Sequence, residues 1–266
     1  MPSVVARSLK SFNLRKWHRT ALAGVVLSLG IAGHNAVFAA QTLTAGSPPT
    51  SAPMTFLDVK TKTLQGVMPD LIREIGKRQG FDVQFDAIPF AALIQSAVSG
   101  KIDIIVSAMT PTPKRAEVVD FADIVYSFGE GLVVADSDKT DYKSAQDLKG
   151  ETVGAPAGTT YGDKLKALGI FKEVKYYDTT SDMLHDLANG RIKGAFQDYP
   201  LLKALAAKGG MPGVHVDEAY KPLDTAGVAI AVQKGNKVLL DKINAGISQM
   251  KADGSLAAIL NKWGLH

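Results

Sequence analysis

The feature that most constrains this chain is one pattern written twice. Residues 93–108 give a helical stretch, a Gly100-Lys101-Ile102 corner and then an apolar run; residues 183–198, ninety positions later, repeat the layout around Gly190, Arg191 and Ile192. The run 102–106 is a continuous apolar stretch bar Asp103, the signature of a strand covered on both faces in a parallel sheet. A helix feeding such a strand is the repeating unit of an α/β fold. Two α/β domains of about 100 residues, each with its own core, fit within the 266 residues.

Both copies turn polar at the carboxyl end of the strand. The first presents Ser107 and Thr110, then Pro111 and Pro113, then Arg115; the second presents Gln197 and Asp198. In open α/β sheets that edge is where ligands bind. An arginine there offers a planar fork of donors suited to a carboxylate, and an aspartate suits an ammonium. Opposite charges on two similar units point to two lobes facing one zwitterion. The residues alone also allow a surface ion pair of Arg115 with Glu117 or Asp120, and a helix N-cap at Asp198 ahead of Pro200.

Residues 1–39 carry Arg7, Lys10, Arg15, Lys16 and Arg19 with no acidic residue, an apolar run over 21–32, and small residues ending at Ala39. This is the layout of a secretory signal peptide, which predicts export to the periplasm; a retained amphipathic anchor is the other reading. The chain has 30 Lys+Arg and 26 Asp+Glu, and without the five leader cations the balance is 25 against 26, a net of −1. The basic character therefore belongs to the leader, and no nucleic-acid partner is expected. With no cysteine, the chain has neither disulfides nor a thiol nucleophile and relies on its hydrophobic core.

The remaining pattern fills in the order. Residues 42–45 read as a short edge-like strand, and the proline-rich 46–53 as a loop without regular structure, either a pocket wall or a surface turn. A hairpin follows over 54–66, then a helix with Pro69 in its first turn and Gly80 at its end. Phe90 lies where strand 81–85 passes into a helix over 91–98, as a ligand lid or as core. Gly129 and Gly131 precede an apolar strand, 130–135, that suits a crossing between lobes. Gly158, Thr159 and Thr160 open a helix, presenting free N–H groups and hydroxyls to an anion or simply capping it. Strand 228–232 returns the chain, and two amphipathic helices, 237–251 and 256–263, close it.

Six motifs stand in order: residues 100–103 (Gly-Lys-Ile-Asp), 110–115 (Thr-Pro-Thr-Pro-Lys-Arg), 119–123 (Val-Asp-Phe-Ala-Asp), 148–154 (Leu-Lys-Gly-Glu-Thr-Val-Gly), 158–160 (Gly-Thr-Thr) and 251–254 (Lys-Ala-Asp-Gly). In this order and spacing they resemble the periplasmic polar-amino-acid-binding proteins of ABC importers, the family-3 solute-binding proteins, over essentially the whole chain after the leader. The resemblance implies an α/β, two-lobed periplasmic-binding-protein-like fold of type II. Each lobe has a mixed, mainly parallel sheet flanked by helices, with two hinge strands between them. Lobe 1 is then 41–128 with 225–266, and lobe 2 is 129–224.

The implied function is capture of an amino acid, or an amino-acid-like zwitterion, between closing lobes, by a monomer that delivers it to a membrane permease without cofactor, metal or catalytic residues. Arg115 clasps the α-carboxylate, with Thr110, Ser107 and the Thr159-Thr160 turn as further donors. Asp198 receives the α-ammonium and Phe90 stacks on the side chain. The sequence departs from the family pattern at three places. Ser51 stands where an aromatic is usual, Pro48 stands near the place of an aspartate found in binders of cationic side chains, and Ala108 lacks the hydroxyl many relatives have. The loss at Pro48 argues against lysine or arginine as ligand. The competing reading is a dehydratase of cyclic amino-acid precursors on the same scaffold, which needs a general acid at the ligand; neither His185 nor His215 stands at a strand's ligand end.

Overall fold

The computed structural model describes residues 41–265, so the signal-peptide reading lies outside the described residues. The chain opens with β1 (Gln41–Ser47) and a small antiparallel sheet of β2 (Thr50–Ser51), β3 (Thr55–Leu57) and β4 (Leu64–Gln65). Helix α1 (Val67–Gln79) follows, with Pro69 in its first turn and Gly80 ending it in the left-handed conformation. Next come β5 (Phe81–Ala87), a 3₁₀ turn at Phe90–Ala92, α2 (Leu93–Val98), β6 (Ile104–Met109) and the one-turn helix α3 (Pro113–Ala116). Strands β7 (Val119–Phe121) and β8 (Tyr126–Phe128) lead to the crossing.

Beyond it lie β9 (Glu130–Ala135), β10 (Thr152–Pro156), α4 (Thr160–Ala167), β11 (Glu173–Tyr177), α5 (Thr180–Ala188), β12 (Gly194–Asp198), α6 (Tyr199–Ala207) and β13 (Val214–Asp217). The long strand β14 (Ala226–Gln233) returns, and α7 (Lys237–Ala252) and α8 (Ser255–Lys262) follow.

Two separate sheets result, ordered β5-β1-β6-β14-β7 and β11-β10-β12-β9-β13. In the first, β1 runs parallel to β5 and β6, and β14 is antiparallel to β6. In the second, β10 runs parallel to β11 and β12, and β9 is antiparallel to β12. Both faces of each sheet are covered. Ile104 and Val106 of β6 pack under α1 and α7 through Leu71, Ile75 and Ile243, while Ile105 and Met109 face Leu93 and Ala97 of α2. That is why the run reads as apolar without alternation. In the second sheet Phe196 and Val153 meet Tyr161 and Leu165 on one side, and Ala195 and Val133 meet Met183 and Leu187 on the other.

Two segments link the sheets side by side. Strand β8 pairs with the start of β14, Phe128 opposite Ala226, just before Gly129 and Glu130 lead into β9. A Cβ on Gly129 would lie 2.5 Å from Cβ of Pro222 and 2.8 Å from the carbonyl oxygen of Asp224. The outgoing and returning backbones touch because this residue has no side chain. Glu130 then stitches them together: its Oε1 accepts from the Tyr220 hydroxyl at 2.8 Å and the Leu223 N–H at 2.6 Å.

The structure corrects four expectations. Strand β1 is interior, between β5 and β6, and the edge is β5; short apolar content made it read as an edge. The loop 46–53 holds regular structure, with Gly46 and Ser47 inside β1 and Thr50–Ser51 forming β2. The stretch 91–98 is divided between the 3₁₀ turn and α2. Strand β6 starts at Ile104 and runs through Ser107 and Ala108 to Met109, so Ser107 lies inside the strand rather than beyond it.

Candidate functional site

The parallel strands of both sheets end at one cavity of about 550 Å³. In the first sheet β1 delivers Pro48 and Ser51, β5 delivers Phe90, and β6 delivers Ala108 and Thr110; in the second β10 delivers Thr159 and Thr160, β11 delivers Asp178, and β12 delivers Gln197 and Asp198. The cavity therefore lies at the carboxyl ends of strands in both sheets, the edge where α/β proteins bind ligands.

Local sequence aims Arg115. Thr112 caps α3, accepting from the Arg115 backbone N–H at 3.2 Å, and Pro113 starts the single turn. The guanidinium then points back, Nη1 donating to the carbonyl of Thr110 at 2.6 Å and Nη2 to the carbonyl of Gly158 at 2.7 Å, with the Phe90 ring 5.7 Å away. Gly158 belongs to the loop between β10 and α4 of the second sheet, so one side chain already reaches across the cleft. Its φ of +77° and the approach of Ala91, 3.3 Å from where a Cβ would sit, both favour glycine. Burial lowers the pKa of Arg115, with Asp163 opposing. Neither Glu117 nor Asp120 pairs with it; Asp120 bonds Lys234.

Asp198 stands at the N-cap position of α6 without a capping hydrogen bond from its side chain. Its wall is built by Gln197, which accepts from the Tyr161 hydroxyl at 3.0 Å and the Asp198 N–H at 2.8 Å and donates to Thr180 at 2.7 Å. Burial pushes the Asp198 carboxyl up to about 7, opposed by hydrogen bonding to Tyr161 and reinforced by the Glu130 carboxylate. Glu130 is its direct ladder partner and is itself raised by burial.

The other expected residues divide. Thr110, Ala108, Ser51, Phe90, Thr159 and Thr160 all line the cavity. Thr159 also caps α4, accepting from Gly162 N–H at 3.3 Å and donating to the Pro156 carbonyl at 2.9 Å, so its hydroxyl is committed to the helix start. Phe90 both lines the cavity and packs on the α2 core. Ser107 is the exception: fully buried, absent from the lining, and without a hydrogen-bond partner for its hydroxyl among the described residues. Alternation along β6 turns it to the α2 face, away from Ala108. Sequence reasoning passed over Glu130, Tyr161, Tyr177, Asp178 and Asp224, which also line the cavity. Only Asp178 carried a legible signal, a charge between the end of a strand and a helix cap.

The family model for bacterial extracellular solute-binding proteins, family 3, matches residues 43–266. The chain belongs to that family. It is 31% identical over 195 residues to the ABC transporter arginine-binding protein 1 of Escherichia coli K12, covering 73% of this chain and 79% of the relative. It is 31% identical over 256 residues to the histidine-binding periplasmic protein of the same strain, covering 89% of this chain and 94% of the relative. Among solved structures, an ancestral arginine-binding protein bound to arginine superposes with a TM-score of 0.77 at 33% identity, covering 84% of this chain and 98% of that one. The two-lobed α/β fold expected from the motifs is the fold observed.

Proposed function

We propose that this protein captures an amino acid between its two lobes, 41–128 with 225–266 on one side and 129–224 on the other, and hands it as a monomer to the membrane permease of an ABC importer in the periplasm. The observation that carries this reading is that Arg115, in the helical turn after β6, and Asp198, the last residue of β12 in the other sheet, line one cavity. A zwitterion satisfies both. Its carboxylate replaces the Gly158 carbonyl as acceptor for Arg115, and its ammonium gives Asp198 a counter-charge. Each charge-assisted bond formed as the cleft closes contributes about 1.5 to 3 kcal/mol, so the bound ligand favours the closed state.

The protein binds without turnover. Asp198 and Glu130, the cavity carboxyls whose pKa burial raises, stand at the ammonium end, and incubation with a prephenate-like substrate is expected to give no product. A thermal-shift screen over the amino acids, followed by calorimetry, tests the binding reading. Arg115→Ala is expected to weaken the best ligand by at least about tenfold. Unchanged affinity removes Arg115 from the site.

A further inference from the structure

Four carboxylates line the cavity, Glu130, Asp178, Asp198 and Asp224, against the single guanidinium of Arg115. Two of them are matched within the protein: Asp224 pairs with Lys164, and Glu130 accepts from Tyr220 and Leu223. Asp198 is the partner of the ligand ammonium in the function proposed above. That leaves Asp178, an exposed residue on the cavity wall whose carboxylate has no hydrogen-bond or ion-pair partner among the described residues.

Strand register fixes where Asp178 stands. Pro156 of β10 lies opposite Tyr177 of β11, and Gly154 of β10 lies opposite Ala195 of β12. Counting onward, Asp178 and Asp198 are both level with Ala157, one on each side of β10, and the Ala157 N–H still bonds the Tyr177 carbonyl at 2.9 Å. Two inter-strand spacings put their backbones about 10 Å apart on one wall. A ligand whose ammonium rests at Asp198 thus meets a second anion at the reach of a lysine- or arginine-length side chain.

We infer that Asp178 is a specificity-determining residue that receives a cation at the far end of the ligand side chain, so that the protein selects amino acids with cationic side chains over neutral ones of the same shape. This rests on the proposed function and reverses the expectation drawn from Pro48. The carboxylate missing from the first-strand loop is supplied by the opposite sheet.

Calorimetry with L-arginine, L-lysine and L-citrulline tests it, since citrulline keeps the length and shape of arginine without its charge. In the parent protein a cationic ligand is expected to bind at least about tenfold tighter than citrulline. Asp178→Asn is expected to bring the two within about threefold by weakening the cationic ligands, while its unfolding transition stays that of the parent, which shows the fold intact. Citrulline binding as tightly as arginine, or an Asp178→Asn protein that keeps the full preference, overturns the inference. If those proteins still need Arg115 to bind, the proposed function stands; if no amino acid binds, both fall together.

Discussion

At the residue scale the cleft turns on one carboxyl group. Asp198 carries a pKa of about 7 because neighbouring protein strips water from it and Glu130 adds like charge, against the help of Tyr161. An ammonium is held by the ionised form, so affinity is expected to fall roughly tenfold per pH unit below about 7 and to level off above it. Calorimetry from pH 5.5 to 8 checks this, and a flat profile removes Asp198 from the ammonium site. Stability of the unliganded protein runs the other way. Because the folded pKa lies above the ordinary 3.8, the folded state keeps a proton that the unfolded chain has released. This group therefore stabilises the protein least above pH 7, the loss building up between about pH 4 and 7. Asp198→Asn escapes that loss. Its ligand-free form is expected to melt above the parent at pH 8 while binding at least about tenfold more weakly.

At the scale of elements, the crossing between the sheets is sterically specified by a single glycine. The β8–β9 segment and the return before β14 approach so closely that a side chain at 129 has no room between Pro222 and Asp224. Gly129→Val is expected to cost about 1–3 kcal/mol by overpacking, read from chemical denaturation. It also splays the two segments that Glu130, Tyr220 and Leu223 hold together. The helices show the opposite tolerance. α1, α2 and α5 are placed by apolar stripes on sheet faces; α1 keeps Pro69 in its first turn and Gly80 at its end, as expected, and the stretch 91–98 divides into a 3₁₀ turn and α2 while Phe90 stays in the cavity wall. Ser107 was misplaced because a run with no alternation gives no sign of which face each side chain takes once both faces are buried.

Across the whole molecule, contacts link the elements around the second sheet to the first sheet and to the small β2–β4 sheet. Arg115 bonds the Gly158 carbonyl, and Lys208, at the end of α6, lies 5.6 Å from the ring of Phe56 in β3, which in turn stacks edge-on against Trp263. A ligand that binds only the folded, closed form at 100 times its dissociation constant is expected to add about 2.7 kcal/mol to unfolding. Hydrogen exchange should show added protection on both sides of the cleft, at 108–110 and 158–160. Protection confined to one side contradicts capture between lobes.

The sequence by itself determined the α/β class, the repeated helix–corner–strand unit and the charge at the ends of β6 and β12. Those follow from local physics: periodicity names the element, glycine and proline end it, and a charge after an apolar run marks the exit of a strand. It also carried Arg115 and Asp198, because one follows within a turn of a strand legible on its own and the other ends such a strand. Only the tertiary structure decided that β1 is interior, that Ser107 faces α2, and that Glu130, Tyr161 and Asp178 share the cavity. Those facts depend on which strands lie side by side and in what register, and pairings between residues about 70 or 90 positions apart leave no mark in either stretch alone.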